Sequence, residues 1–269
     1  MKEKTESAPQ SRKERQRKDR LRLRLRREGR QGWRVSTLTS TFAFEVRCVL
    51  CVFAVGSLFL ISSVFAKTNG PTAKFTIARL KYSGGGDWYN DPSVIPNLLD
   101  FLREHTAMEV ASEEVPVAIA DEDFFSYPLI YMTGHGNISF SEEEARRLRV
   151  YLEHGGFLYA DDDYGMDKAF RREIKKVFPD KEMLEIPLSH GIFHHPFEFP
   201  QGLPKIHKHD GGPPQAFGIF HEKRLIVLYT FESNISDGWA SPEVHHDPPE
   251  IREAALKMGA NIVVWALTH

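Results

Sequence analysis

Cysteine is almost missing from this chain of 269 residues: Cys48 and Cys51 are the only two, and both lie in one apolar run. Residues 67–269 therefore hold no disulfide framework, no thiolate zinc site and no cysteine nucleophile. Also missing are a GK[ST] phosphate loop, the spacing of a dinucleotide fingerprint and an H-E-x-x-H helix. No internal repeat is apparent. Apolar residues make up 41% and charged residues 27%, which excludes collagen-like and wholly disordered classes. The net charge of −2 averages two unlike parts: residues 1–47 carry 15 Lys/Arg against 6 Asp/Glu, and residues 48–269 carry 20 against 31.

The one long hydrophobic run, Cys48 to Ala66, has 19 residues and no charge. As a helix it would span roughly 28 Å, close to the thickness of a bilayer core. Basic residues crowd its N-terminal side, so the positive-inside rule puts the N-terminus in the cytoplasm and the rest outside. Val64-Phe65-Ala66 resembles a small-x-small cleavage site. The run thus reads either as an uncleaved anchor or as a signal-peptide core, and the protein as membrane-anchored or secreted. The basic stretch Lys2 to Arg34 reads as a disordered cytoplasmic flank or an extension from a misassigned start. A nucleic-acid-binding arm is the weakest reading, because no aromatic residue interleaves with the charges before Trp33. The expected division is a basic segment at 1–47, a hydrophobic helix at 48–66, a polar linker at 67–73 and an α/β domain at 74–269.

Within that domain, Phe75 to Tyr82 alternates as a strand does. Asp91 or Ser93 can cap a helix to about His105. Leu129–Thr133 and Phe157–Ala160 read as buried strands. Ser141 with Glu144 forms a capping box for a helix ending at Gly155-Gly156. Residues 167–178 form a further amphipathic helix. Ala216–Phe220 and Arg224–Phe231 form a hairpin around Glu222-Lys223, and Pro248-Pro249 opens a last helix. This alternation predicts an α/β sandwich with a mainly parallel sheet and helices on both faces.

Ligands of such sheets bind beyond the carboxyl ends of the strands. Three loops should meet there. Gly84, Gly85, Gly86, Asp87 and Trp88 form a candidate ligand-binding loop, since glycine lets N–H groups approach an anion; a plain tight turn is the simpler reading. Gly134-His135-Gly136 supplies an imidazole. Asp161-Asp162-Asp163 concentrates like charges that call for a cation or for donors. Histidines recur at His190, His194 and His195, at His207 and His209 beside Asp210, and at His245 and His246 beside Asp247. Imidazoles near carboxylates suit a divalent metal or acid–base work. Asp237-Gly238-Trp239 is a turn with an aromatic.

The stretches YSGGGDWYNDP, YMTGHGNISFSEEE, LEHGGFLYADDDYGMDKAFRREIKKVFPD, KIHKHDGGPPQAFGIF and LIVLYTFESNISDGWA together resemble the bacterial domain-of-unknown-function family 4159, over roughly residues 74–268. The resemblance implies a flavodoxin-like, class I glutamine amidotransferase-like three-layer sandwich, exported or membrane-attached, without an assigned activity. True amidotransferases use a cysteine at a strand–helix elbow. No G-x-C-x-G elbow is present here, nor a G-x-S-x-G, so glutaminase chemistry by that route is excluded. The motifs matching the family single out Asp161, Asp162, His135, His209 and Asp210 as candidate site residues, with Asp161, Asp162 and His209 as candidate ligands of a divalent metal. Two functions compete: a ligand- or partner-binding module of the cell envelope, and a metal-assisted hydrolase of a glycan or phosphorylated substrate. In the second, an aspartate serves as base and His135 or His209 as acid.

Overall fold

A computed structural model describes residues 74–269. The apolar run at 48–66 and its basic flank lie outside the described residues, among which no helix is long and apolar enough to cross a membrane. The strands are β1 (Ala78–Lys81), β2 (Val115–Ala118), β3 (Leu129–Met132), β4 (Phe157–Asp161), β5 (Leu184–Glu185), β6 (Gln215–His221) and β7 (Arg224–Phe231). The helices are α1 (Val94–His105), α2 (Glu142–Glu153), α3 (Asp167–Val177), α4 (Pro242–His245) and α5 (Pro249–Thr268). One sheet of seven strands has the order β2-β1-β3-β4-β7-β6-β5. β2, β1, β3, β4 and β7 pair in parallel, and β6 and β5 continue the sheet with antiparallel pairings.

Strand residues alternate between two cores, as a pleat of period two requires. Ile77, Tyr131, Tyr159 and Leu228 face α1 and α5. Leu80, Met132, Ala160 and Tyr229 face α2 and α3. β3 and β4 are buried along their whole length, because helices cover both faces.

Local chemistry sets the boundaries. Ser141 Oγ accepts the Glu144 N–H at 3.2 Å while Glu144 accepts the Ser141 N–H at 2.8 Å, so the capping box starts α2 as expected. In the β6–β7 turn Glu222 and Lys223 take φ of 48° and 72°, the left-handed pair that a two-residue hairpin needs. The strand expected over 75–82 is regular only over 78–81, and Phe75 makes an isolated bridge to Val110. β2 gave no sequence signal because Pro116 argues against a strand; it is an edge strand, where proline is tolerated.

One side chain of α5 holds the backbone of the long segment between β5 and β6 by three hydrogen bonds. Asn261, fully buried, donates to the carbonyls of Ile192 (2.9 Å) and Phe197 (2.7 Å) and accepts the Phe197 N–H at 2.8 Å. Asn261→Ala strands these backbone groups in the core. It should cost about 2–4 kcal/mol, read as a lower urea midpoint with an unchanged slope.

Candidate functional site

The strand order reverses between β1 and β3, which is where ligands of doubly wound sheets bind. The loops after β1, β3, β4 and β7 lie side by side at this edge. Each delivers polar side chains.

The β1 loop is held from below by Arg79, which is 1% exposed. Its guanidinium pairs with Glu114 at 2.8 Å and donates to the carbonyls of Asn90 (2.8 Å) and Asp91 (3.2 Å). Asp91 takes a φ of 46°, a left-handed conformation that aspartate tolerates. Its carboxylate meets His245 Nε2 at 2.8 Å. Asn90 donates to Asp163.

The three consecutive aspartates after β4 part ways. Asp161 is fully buried and bridges to the β7 loop: one oxygen accepts from Thr230, the other from the Ser236 N–H (2.6 Å) and hydroxyl (2.7 Å). Burial pushes its carboxyl up to about 7 against the pull of those donors. Asp162 accepts the Met166 N–H at 2.8 Å, and burial raises it to about 6. Asp163 accepts from Asn234 at 3.1 Å, with His135 Nδ1 at 3.6 Å. Burial and then the charge of Asp237 hold Asp163 far above the ordinary carboxylate range.

Asp237, in a single 3-10 turn after β7, is buried, which favours its neutral form. Hydrogen bonds from His207 and Asp163 outweigh that and hold it below its usual value. The two carboxyls thus titrate as one pair that shares a proton. His207 Nδ1 lies 2.7 Å from Asp237 and Nε2 lies 3.2 Å from Asp247; the Asp237 hydrogen bond leads in raising the imidazole above its ordinary value. The second Asp247 oxygen is buried without a hydrogen-bond partner among the described residues. His207 and His245 rings meet at 5.1 Å. One ligand atom each from His207, Asp237 and His245 falls within 4.8 Å of the others, as does one each from Asp91, Asp163 and Asp237.

The candidates named from sequence fall in several places. Asp161 points into the interior. Asp162 lines a cleft of about 380 Å³ together with Tyr164, His209 and Asp210. His135 is half-exposed and pairs with Asp87 at 3.0 Å; burial tends to raise Asp87, but the His135 amide and ring hold it below its usual value. Gly84 and Gly86 serve close approach: a Cβ on either would stand 2.8 Å or less from backbone of the β3 loop. The N–H of Gly86 already donates to Asn137 O at 2.9 Å, and Gly85 faces open space. Trp88 is partly buried against the core on the α2–α3 face. Asp161, Asp162 and His209 do not gather around one point; the side chains that do gather come from the loops at 91, 163, 207, 237 and 245. Of the histidine groups, 207 and 245 meet, whereas His194 pairs with Glu198 at 2.7 Å and His190 lies against Trp265.

The family described as Domain of unknown function (DUF4159) matches residues 76–267. In a comparison with curated proteins, none matched the chain.

The proton bookkeeping of this edge has a consequence for stability. A carboxyl whose native pKa lies above its unfolded value near 4 stabilises fully below that value, and the contribution is lost as pH rises through the native pKa. Asp161 (about 7), Asp162 (about 6) and Asp163 all have this sign. His207 has it too, its contribution being present below its ordinary pKa and lost above its raised one. Asp87 and Asp237, held low, act in the opposite sense only below about pH 4. In chelator, the protein should therefore be less stable at pH 8 than at pH 5. Asp161→Asn should raise the pH 8 stability by about 2–4 kcal/mol and change the pH 5 value little. Urea midpoints of both proteins at both pH values test this, and an equal shift at the two values would refute it.

Proposed function

Given that the chain belongs to the DUF4159 family, whose chemistry is unassigned, we propose from its geometry that the domain is a divalent-metal-dependent hydrolase, with the metal on His207, Asp237 and His245. The convergence of these three ligand-type side chains, one from the β5–β6 connection and two from the β7–α5 connection, carries the reading. Two imidazoles and one carboxylate suit a zinc-like ion and leave a coordination position for water. His207 meets Asp237 through Nδ1 and carries a second carboxylate, Asp247, on Nε2. Such outer carboxylates orient metal-bound imidazoles. Asp163 brings an oxygen within 4.8 Å of one of Asp237, which would set a carboxylate beside the bound water as its acid–base partner.

This chemistry needs no cysteine, so the missing nucleophile of the amidotransferase-like fold does not oppose it. The parallel strand order β2-β1-β3-β4-β7 supports a flavodoxin-like sandwich of that kind. A site outside the cytoplasm, on an envelope substrate, is supported by the apolar run Cys48 to Ala66 and its basic flank.

Elemental analysis of the purified full-length protein after loading with Zn²⁺ or Mn²⁺ and desalting should find close to one metal per chain. Asp237→Asn and His245→Ala should lose it, His194→Ala should keep it, and Asp247→Ala should weaken binding about 10- to 100-fold. A folded wild-type protein that retains neither ion overturns the proposal.

A further inference from the structure

We infer that the substrate is an acylated sugar, its ring seated in the cleft beside the metal cluster and its N- or O-acyl group hydrolysed at His207, Asp237 and His245. The inference rests on the metal reading above. It starts from Tyr164, which is 46% exposed although it is a large aromatic at the cleft. Its ring stacks on His209 at 4.4 Å with 23° between planes, and its hydroxyl donates to Asp210 at 3.0 Å. Its φ of 77° lies in the left-handed region that bulky residues avoid. The backbone is thus held in an unfavourable conformation that places a flat aromatic surface at solvent. Such conformations persist where surrounding structure over-determines them. A pyranose presents an apolar C–H face to such a surface and hydroxyls to the acceptors around it.

Those acceptors set the charge of the ligand. Of the cleft carboxylates, Asp167 is paired with Arg171 (2.6 Å) and Glu232 with Lys205 (2.8 Å). Asp162 and Asp210 remain against Lys168. With no cationic surplus, the cleft does not favour a phosphorylated ligand and suits a neutral or amino sugar. Asn234 joins the two parts: it lines the cleft and donates to Asp163 (3.1 Å) and Asp237 (3.2 Å). His209, which stacks on Tyr164 in the cleft, has its ring 6.0 Å from that of His207, in the cluster. A sugar on Tyr164 would therefore turn a substituent toward the cluster.

The cluster chooses the bond. Glycosidic cleavage runs on two carboxylates and an oxocarbenium-like state, with nothing for a Lewis acid to polarise. A metal with an open position instead polarises a carbonyl and lowers the pKa of bound water. A bound cation would displace the proton of the Asp163–Asp237 pair, so the oxygen of a water in the open position would bond to the acyl carbon and its proton would pass to the freed Asp163 carboxylate. As the carbon–nitrogen or carbon–oxygen bond to the sugar breaks, that proton goes to the departing nitrogen or oxygen. One water is consumed, and a carboxylic acid and the deacylated sugar are formed, with no redox partner.

The test uses the metal-loaded full chain with tetra-N-acetylchitotetraose and with acetylated xylo-oligosaccharides, measuring released acetate. Acetate release from at least one probe, abolished by chelation and restored by metal, is the expected result. Tyr164→Ala should then lower kcat/KM by about tenfold or more, chiefly through KM, while Tyr164→Phe keeps most of the activity and both retain metal. A metal-loaded protein that releases acetate from neither probe overturns the sugar inference and leaves the metal reading standing. So does one that cleaves only p-nitrophenyl phosphate. Acetate release unaffected by Tyr164→Ala overturns the assignment of the platform. A protein that takes up no metal overturns both readings at once.

Discussion

The structure is organised around a charge problem at the carboxyl edge of the sheet. Asp91, Asp163 and Asp237 bring oxygens within 4.8 Å of one another, and Asp161 lies two residues before Asp163 in the chain. Two full charges 4 Å apart repel by about 4 kcal/mol at the effective dielectric of a protein surface, so the carboxylates cannot all be ionised and unpartnered. Each is therefore surrounded by donors drawn from other loops. Asp161 takes Thr230 and Ser236, Asp163 takes Asn90 and Asn234, and Asp237 takes His207 and Asn234. Because donors and acceptors sit on different strands, neutralising the edge also fixes the four loops to one another.

Arg79 extends this logic into the core. It is a buried cation on β1, neutralised by Glu114 and lying 5.3 Å from the ring centre of Tyr131. Its remaining donors bind the carbonyls of Trp88, Asn90 and Asp91. The backbone that positions Asn90 on Asp163 and Asp91 on His245 thus rests on a side chain that never reaches the site. On the opposite side Trp239 has a similar part: it packs against both Tyr131 and Tyr159 and donates to the Ala255 carbonyl at 2.8 Å, which seats the turn that carries Asp237.

Much of the fold is legible in the sequence, because local signals specify it: the capping box at Ser141, the apolar strands at 129 and 157, the hairpin at 222–223. The site is less so. The run of aspartates is visible, but a run cannot show that Asp161 turns inward, Asp162 faces a cleft and Asp163 joins a cluster. Asp91 looks like a helix cap and Asp237 like a turn residue. His207 belongs to an irregular segment and His245 to the single-turn helix α4, and their placement follows from tertiary contacts such as the Ile206 N–H to Ser233 O bond of 2.9 Å, which no periodicity encodes. The triple glycine suggests an anion cradle, yet at Gly84 and Gly86 it permits contact between two loops, a distinction set by what lies opposite.

The proton on the Asp163–Asp237 pair and a bound cation are alternative answers to one electrostatic demand. The proton suffices at low pH, and there the cluster is closed by hydrogen bonds and the His207–Asp237 pair. As pH rises the proton is held less firmly, the edge gains negative charge and the native state loses the stability that protonation supplied. The same rise makes the carboxylates and imidazoles better ligands, because metal binding must displace their protons. A cation would therefore stabilise the fold most where the cation-free protein is weakest. In this arrangement the expected instability without metal at neutral pH and the proposed affinity for metal would have one cause, the enforced proximity of Asp163 and Asp237.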